Sequence, residues 1–216
     1  MSGDILEALT QGALDLIDEG VKSTPSFGLS AMYRAWQKNR IQEAQEILIA
    51  ELKSGTRLAG DVDQDSFFGL LFRYLNATKQ GAARRNLKLM AEIIRSGCFD
   101  VQIPFQPDKI ASNAELVSQL TREELLLLAT LHHHKLALQN SGVTEDELDR
   151  SVHEATLKDL VPKYFDSEDH CEAVAVSLGR TGLVTTPAVW DGNRIQATPR
   201  LEELCRLCDL ESALSM

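Results

Sequence analysis

Hydrophobic side chains recur at three- and four-residue intervals through most of this chain, a period that predicts helices. Ile5, Leu6, Leu9, Ala13, Leu16 and Ile17 fall on one broad side of a first helix, opposite Asp15, Asp18 and Glu19, before Gly20 and Pro25 end it. The stretch from Lys22 to Gly28 mixes Pro25 with small polar residues and predicts a turn or linker. A second helix is expected from near Ser30 to Lys53, on Met32, Trp36, Ile41, Ala44, Ile47, Leu48 and Leu52, with Gly55 as its stop. After an acidic loop over 60–64, Asp65 or Ser66 is expected to cap a helix carrying Phe67, Phe68, Leu71, Phe72 and Leu75. Phenylalanines packed that closely imply a buried side or a partner surface. Beyond Gly81, a basic helix over 82–95 presents Leu87, Leu89, Met90, Ile93 and Ile94, and a turn at Arg95, Ser96 and Gly97 closes this half.

The segment from Cys98 to Pro107 holds two prolines and a short alternation, so it reads as irregular chain or a short strand. Thr121 to Glu124 then fits a capping box, with Leu120 as the outer staple, for a helix through Leu125, Leu128, Leu131, Leu136 and Leu138. Thr144 to Glu147 repeats that signal ahead of Leu148, Val152, Ala155, Leu157, Leu160 and Val161. A third start, Ser167 to His170, leads into Ala173, Val174, Val176 and Leu178, with Gly179 and Gly182 at the exit. The period then changes. Leu183 to Thr186 and Ile195 to Thr198 predict two strands joined by a turn at Asp191 and Gly192, and Pro187 marks the first as an edge or broken strand. Thr198 and Pro199 supply the cap and first residue of a closing helix with Leu201, Leu204, Cys205, Leu207 and Cys208 on its apolar side.

Three helices, a short hairpin and a closing helix over 121–210 resemble a winged-helix module. Leu178 to Val184 looks like a third helix entering the first wing strand, and Ile195 to Leu201 like the wing returning to the closing helix. The pattern is common in bacterial winged-helix proteins, including many that do not bind DNA, and covers under half of this chain. A DNA-reading third helix would present Arg, Lys, Asn or Gln to base edges. Here residues 167–180 carry Glu168, Asp169 and Glu172 against a late Arg180, so packing or protein interaction is the expected use. The predicted architecture is mainly α: a helical region over 1–97, a linker over 98–115 that can itself pack, and a winged-helix-like α+β region over 116–216. The two regions are able to form one compact unit.

Charge sharpens this division. The net charge is −10, and residues 1–100 carry 12 basic and 13 acidic groups whereas 101–216 carry 10 and 19. Such a field disfavours nonspecific contact with phosphate backbones unless a local basic surface offsets it. Hydrophobic residues at 44% and charged residues at 25% suit an ordered globular chain. The longest aliphatic run, Leu125 to Ala129, falls far below the roughly 18 residues of a membrane span. An early acid, Asp4, stands where a secretory leader would be basic, so a cytoplasmic protein with reduced cysteines and no integral membrane association is expected.

Candidate chemistry is sparse. Lys79, Arg84, Arg85 and Lys88, flanked by Arg73 and Arg95, form the densest basic group and the candidate nucleic-acid surface; the alternative is a solvated face paired with Glu92 and its neighbours. His132, His133 and His134 are consecutive, so on a helix they diverge by about 100° each and cannot converge on one ion unaided. Cys205 and Cys208 have a metal- or redox-like spacing but no second pair, and read as buried structural residues like Cys98 and Cys171. Counting from Asp61, a calcium loop would need Gly and Glu where Ser66 and Phe72 stand. No phosphate loop, nucleophile elbow or dinucleotide fingerprint occurs, and no catalytic residue or cofactor is assigned. Trp36 is expected in the core, whereas Phe67, Phe68, Phe72 and Trp190 are candidate contact residues. The expected role is a noncatalytic scaffold or protein-interaction module, as a homo-oligomer or with another protein. The alternative is a nucleic-acid-associated regulator working through the basic helix.

Overall fold

The computed structural model describes residues 30–54, 62–100, 102–142, 144–189 and 192–214. Most of these residues are helical, as the apolar period predicts, and extended chain is confined to four short strands among the described residues. The expected helix on Ile5 to Ile17, the linker to Gly28, the stop at Gly55, and Trp190 with the turn residue Asp191 lie outside the described residues. The chain divides into two compact units, Met1–Gln119 and Leu120–Met216.

In the first unit, α1 (Ser30–Ser54) buries Ile41, Ala44, Leu48 and Leu52 along one stripe. Trp36 corrects the sequence expectation: it is 46% exposed, with the Arg40 guanidinium 5.1 Å from its ring centroid. It lies about 140° from Ile41 around the helix, at the edge of the stripe. Helix α2 (Gln64–Gln80) is capped by Asp63, not by Asp65 or Ser66, and the Asp63 carboxylate accepts from the Ser66 N–H at 2.8 Å. Asp65 sits in the first turn, where its charge suits the positive helix end. The buried line of α2 is Phe67, Leu70, Leu71, Tyr74 and Leu75, and the Tyr74 hydroxyl donates to the Ala44 carbonyl of α1 at 2.8 Å. Gly81 ends the helix at φ 93, a left-handed conformation suited to glycine, and the Ala82 N–H returns to the Ala77 carbonyl at 3.0 Å.

Helix α3 (Arg84–Phe99) is the centre of this unit and packs against α1, α2 and α4 (Pro107–Gln119). A helix surrounded in this way must be apolar on most sides. Accordingly, Leu87, Leu89, Met90, Ala91, Ile93, Ile94, Cys98 and Phe99 are all buried. The expected turn at Arg95 to Gly97 does not form; the helix continues to Phe99, and Gly97 lies where Ile110 of α4 occupies the space a side chain would need. The segment 98–115, expected to be a linker, contains the end of α3 and most of α4. Pro107, which read as a breaker, is the first helical residue, a position that needs no N–H donor. Ile110, Ala114 and Val117, at spacings of four and three, form its buried side.

The second unit is arranged around α5 (Arg122–Asn140), which meets α6 (Glu145–Leu160), α7 (Glu168–Leu178), α8 (Pro199–Leu207) and α9 (Leu210–Leu214). The capping box at its start forms as expected: the Thr121 hydroxyl accepts from Glu124 N–H at 3.1 Å, and the Glu124 carboxylate accepts from Thr121 N–H at 2.8 Å. At α6 the repeat of this signal resolves differently. Thr144 is the N-cap, but its hydroxyl donates to the Glu147 carboxylate at 3.2 Å instead of capping a backbone N–H. Ser167 caps α7 through the His170 N–H at 3.2 Å.

The hairpin is nested. Strand β1 (Val184–Thr185) pairs antiparallel with β4 (Gln196–Ala197), in register Val184 to Ala197, and β2 (Ala188–Val189) pairs with β3 (Gly192–Asn193). Pro187 separates β1 from β2, where it leaves both ladders intact. The Thr198 hydroxyl donates to the Gly182 and Leu183 carbonyls, at 2.7 and 3.0 Å, and so fastens the start of α8 to the hairpin. The closing helix stops at Leu207; Cys208 is extended and α9 follows as a separate turn.

Candidate functional site

Helical spacing brings the basic residues of α3 to one region but gives most of them acids from their own unit. Arg84 meets Glu43 of α1 at 3.1 Å, Arg95 meets Glu51 of α1 at 3.6 Å, and Lys88 meets Glu92 one turn on at 3.6 Å. Arg73 of α2 likewise meets Glu115 of α4 at 3.3 Å. Arg85 is half-buried and Lys79 is exposed. The Arg84–Glu43 and Arg73–Glu115 pairs lie near solvent and contribute little stability each, roughly 0–1 kcal/mol. Their larger effect is on the field: each cation is offset by a carboxylate, leaving a weaker positive potential than the sequence stripe implies.

The phenylalanines separate by side. Phe67 is buried, with its ring centroid 6.4 Å from those of Phe68 and Phe99 in edge-on packing. Phe68 is half-buried, and Phe72 is 60% exposed. Five residues separate Phe67 from Phe72, or about 140° on a helix, enough to carry the second ring off the core side. On the apolar faces over 67–75 and 125–138, Leu70, Leu71, Leu75, Leu125, Leu128 and Leu131 are all buried. Among the described residues, the exposed large apolar side chains are Trp36 and Phe72 in the first unit, and Leu136, Tyr164 and Val176 in the second.

The three consecutive histidines fan out. His133 Nδ1 lies 3.0 Å from Glu211 of α9, and His134 Nε2 lies 3.4 Å from Asp159 of α6. His132 is half-buried, and that burial holds its pKa below the ordinary value. No group of three or more His, Cys, Asp or Glu residues is placed to hold a metal ion among the described residues. All four cysteines are free thiols, with Cys98, Cys171 and Cys208 buried and Cys205 partly so. Burial pushes Cys98 and Cys205 up to about 12 and Cys171 up to about 11, which suppresses the reactive thiolate at neutral pH.

Two polar constructions in the second unit have no local sequence signal. Glu124, besides closing its capping box, accepts from the Arg180 guanidinium at 2.6 Å and from the Ser177 hydroxyl at 3.1 Å. His153 of α6 accepts at Nδ1 from the Ile195 backbone N–H at 3.2 Å. Both join residues more than forty positions apart, beyond any helical period. No described helix is long and apolar enough to cross a membrane. No protein-family model, curated protein or solved structure matches the chain.

Proposed function

We propose that the chain is a noncatalytic scaffold or protein-interaction module. The observation that carries this reading is Phe72, which stays 60% exposed on α2 while Phe67 is buried and Phe68 half-buried. A large aromatic left in water gains apolar burial when a partner covers it, and aromatic side chains commonly anchor interfaces. The partner is a protein with a complementary apolar patch, and a second copy of this chain is the simplest such partner. The nucleic-acid reading is weakened at Arg84 and Lys88, which face the acids Glu43 and Glu92. We extend the proposal to the winged-helix resemblance, which the succession of helices α5 to α7, the hairpin and α8 supports. Its third helix begins with Glu168 and Asp169, which favours protein over phosphate contact.

Native mass spectrometry of untagged protein at micromolar concentration tests this reading. The expected spectrum contains a protein assembly, which Phe72→Glu converts to monomer with no change in circular dichroism. Monomer alone at every concentration, or a copurified nucleic acid, would overturn it.

A further inference from the structure

Ile195 is fully buried between β3 and β4, and its backbone N–H has His153 Nδ1 as acceptor at 3.2 Å. That nitrogen must present its lone pair, so the neutral ring carries its hydrogen on Nε2. We propose that His153 is a proton-operated latch on the hairpin: protonation at Nδ1 sets two donors against each other and releases the segment around Ile195 from α6. The freed N–H would have no acceptor in its buried position, a cost that only local opening to water relieves.

Charged groups from the surrounding elements set the direction. Helix α7 contributes Glu172 and Glu168 and α6 contributes Glu154, all favouring the charged ring, while Arg194 of the hairpin opposes it. Helix α5 packs on α6 with His134 facing Asp159 at 3.4 Å, and its Lys135 reaches toward β4 and α8, 3.5 Å from the Ala197 carbonyl and 2.7 Å from Glu202. Burial is the largest influence on His153 and outweighs the acids, holding its pKa below the ordinary 6.5. A histidine depressed in the folded state stabilises the closed latch fully above 6.5 and loses that contribution as pH falls through the lower folded value. The acids on α7 then give the charged ring an alternative direction.

The remaining ties of this region do not titrate in the same range. Thr198 holds the Gly182 and Leu183 carbonyls, and the Arg200 guanidinium donates to the Thr181 carbonyl at 2.7 Å. Opening is therefore confined to Arg194, Ile195 and their neighbours.

Amide hydrogen exchange and histidine nitrogen shifts, recorded on the full chain by NMR from pH 7.5 down through the titration of His153, test the latch. At pH 7.5 His153 should be the Nε2–H tautomer and the Ile195 amide protected. Where the nitrogen shifts show the ring charged, the Ile195 protection factor should be lower by about tenfold, with Leu128 and Leu131 unchanged. His153→Gln, which retains a side-chain acceptor that does not titrate, should remove the pH dependence. An unchanged Ile195 protection factor in the wild type, an Nδ1–H tautomer at pH 7.5, or a pH dependence that survives in His153→Gln would overturn the proposal. The wild-type tautomer and exchange data decide the matter even if the variant fails to fold.

Discussion

Gly97→Val should destabilise the first unit by about 1–3 kcal/mol, read as a lower urea midpoint with an unchanged slope. A Cβ at Gly97 would lie 2.5 Å from Ile110 Cγ1, far inside van der Waals contact, and Ile110 is itself buried and unable to swing into water. The backbone separation of α3 and α4 would have to increase, loosening Ala111 and Ala114 as well. Gly69, exposed on α2, is the internal comparison. Nothing lies within 4 Å of a Cβ built there, so Gly69→Ala should stabilise by roughly 0.5–1 kcal/mol through helix propensity alone. Opposite signs for two helical glycines distinguish close packing from propensity, and a stabilising Gly97→Val would show that α4 does not press against α3.

Arg180→Ala is expected to cost about 1–2 kcal/mol, the lower part of the range for hydrogen bonds to charged groups, because the Arg180 side chain is itself 53% exposed. The loss arises at Glu124, which is 3% exposed and would keep Thr121 N–H and Ser177 but lose its cation. Burial alone would raise the Glu124 pKa; hydrogen bonds from Arg180, Thr121 N–H and Ser177 and the charge of Arg180 hold it below the ordinary 4.5. A carboxyl depressed on folding stabilises above 4.5, and that contribution disappears as pH falls through the lower folded value. Urea midpoints collected between pH 3 and 6 should therefore fall with acid in the wild type and fall less steeply in Arg180→Ala. Equal slopes would remove Arg180 as the cause.

How legible each element was follows from the range of the forces that form it. The helices of α2, α5 and α7 follow local periods and caps, and Thr121 with Glu124 read correctly as a capping box because both partners lie within one turn. Helix α4 carries a weak local signal because its buried side combines Ile110, Ala114 and Val117 with the small Ala111 and the polar Asn113, and Pro107 looks like a breaker. Trp36 and Phe72 fit apolar periods loosely, but their angular positions place them outward; phase, more than composition, decides burial. The candidate basic stripe is visible in the sequence, whereas the pairing of Arg84 with Glu43 and of Arg95 with Glu51 depends on which face α1 turns toward α3. Likewise, Glu124 to Arg180 and His153 to Ile195 arise only when distant segments meet.

Sedimentation velocity across a protein dilution series, repeated at 50 mM and 500 mM salt, tests the interaction reading most directly. Burial of Phe72 against a partner protein should give an assembly that persists or strengthens at high salt and disappears in Phe72→Glu. A species that binds through phosphate contacts would dissociate steeply as salt rises. Loss of the assembly at 500 mM salt, or a monomer unaffected by concentration and by Phe72→Glu, would contradict a role built on apolar protein contact.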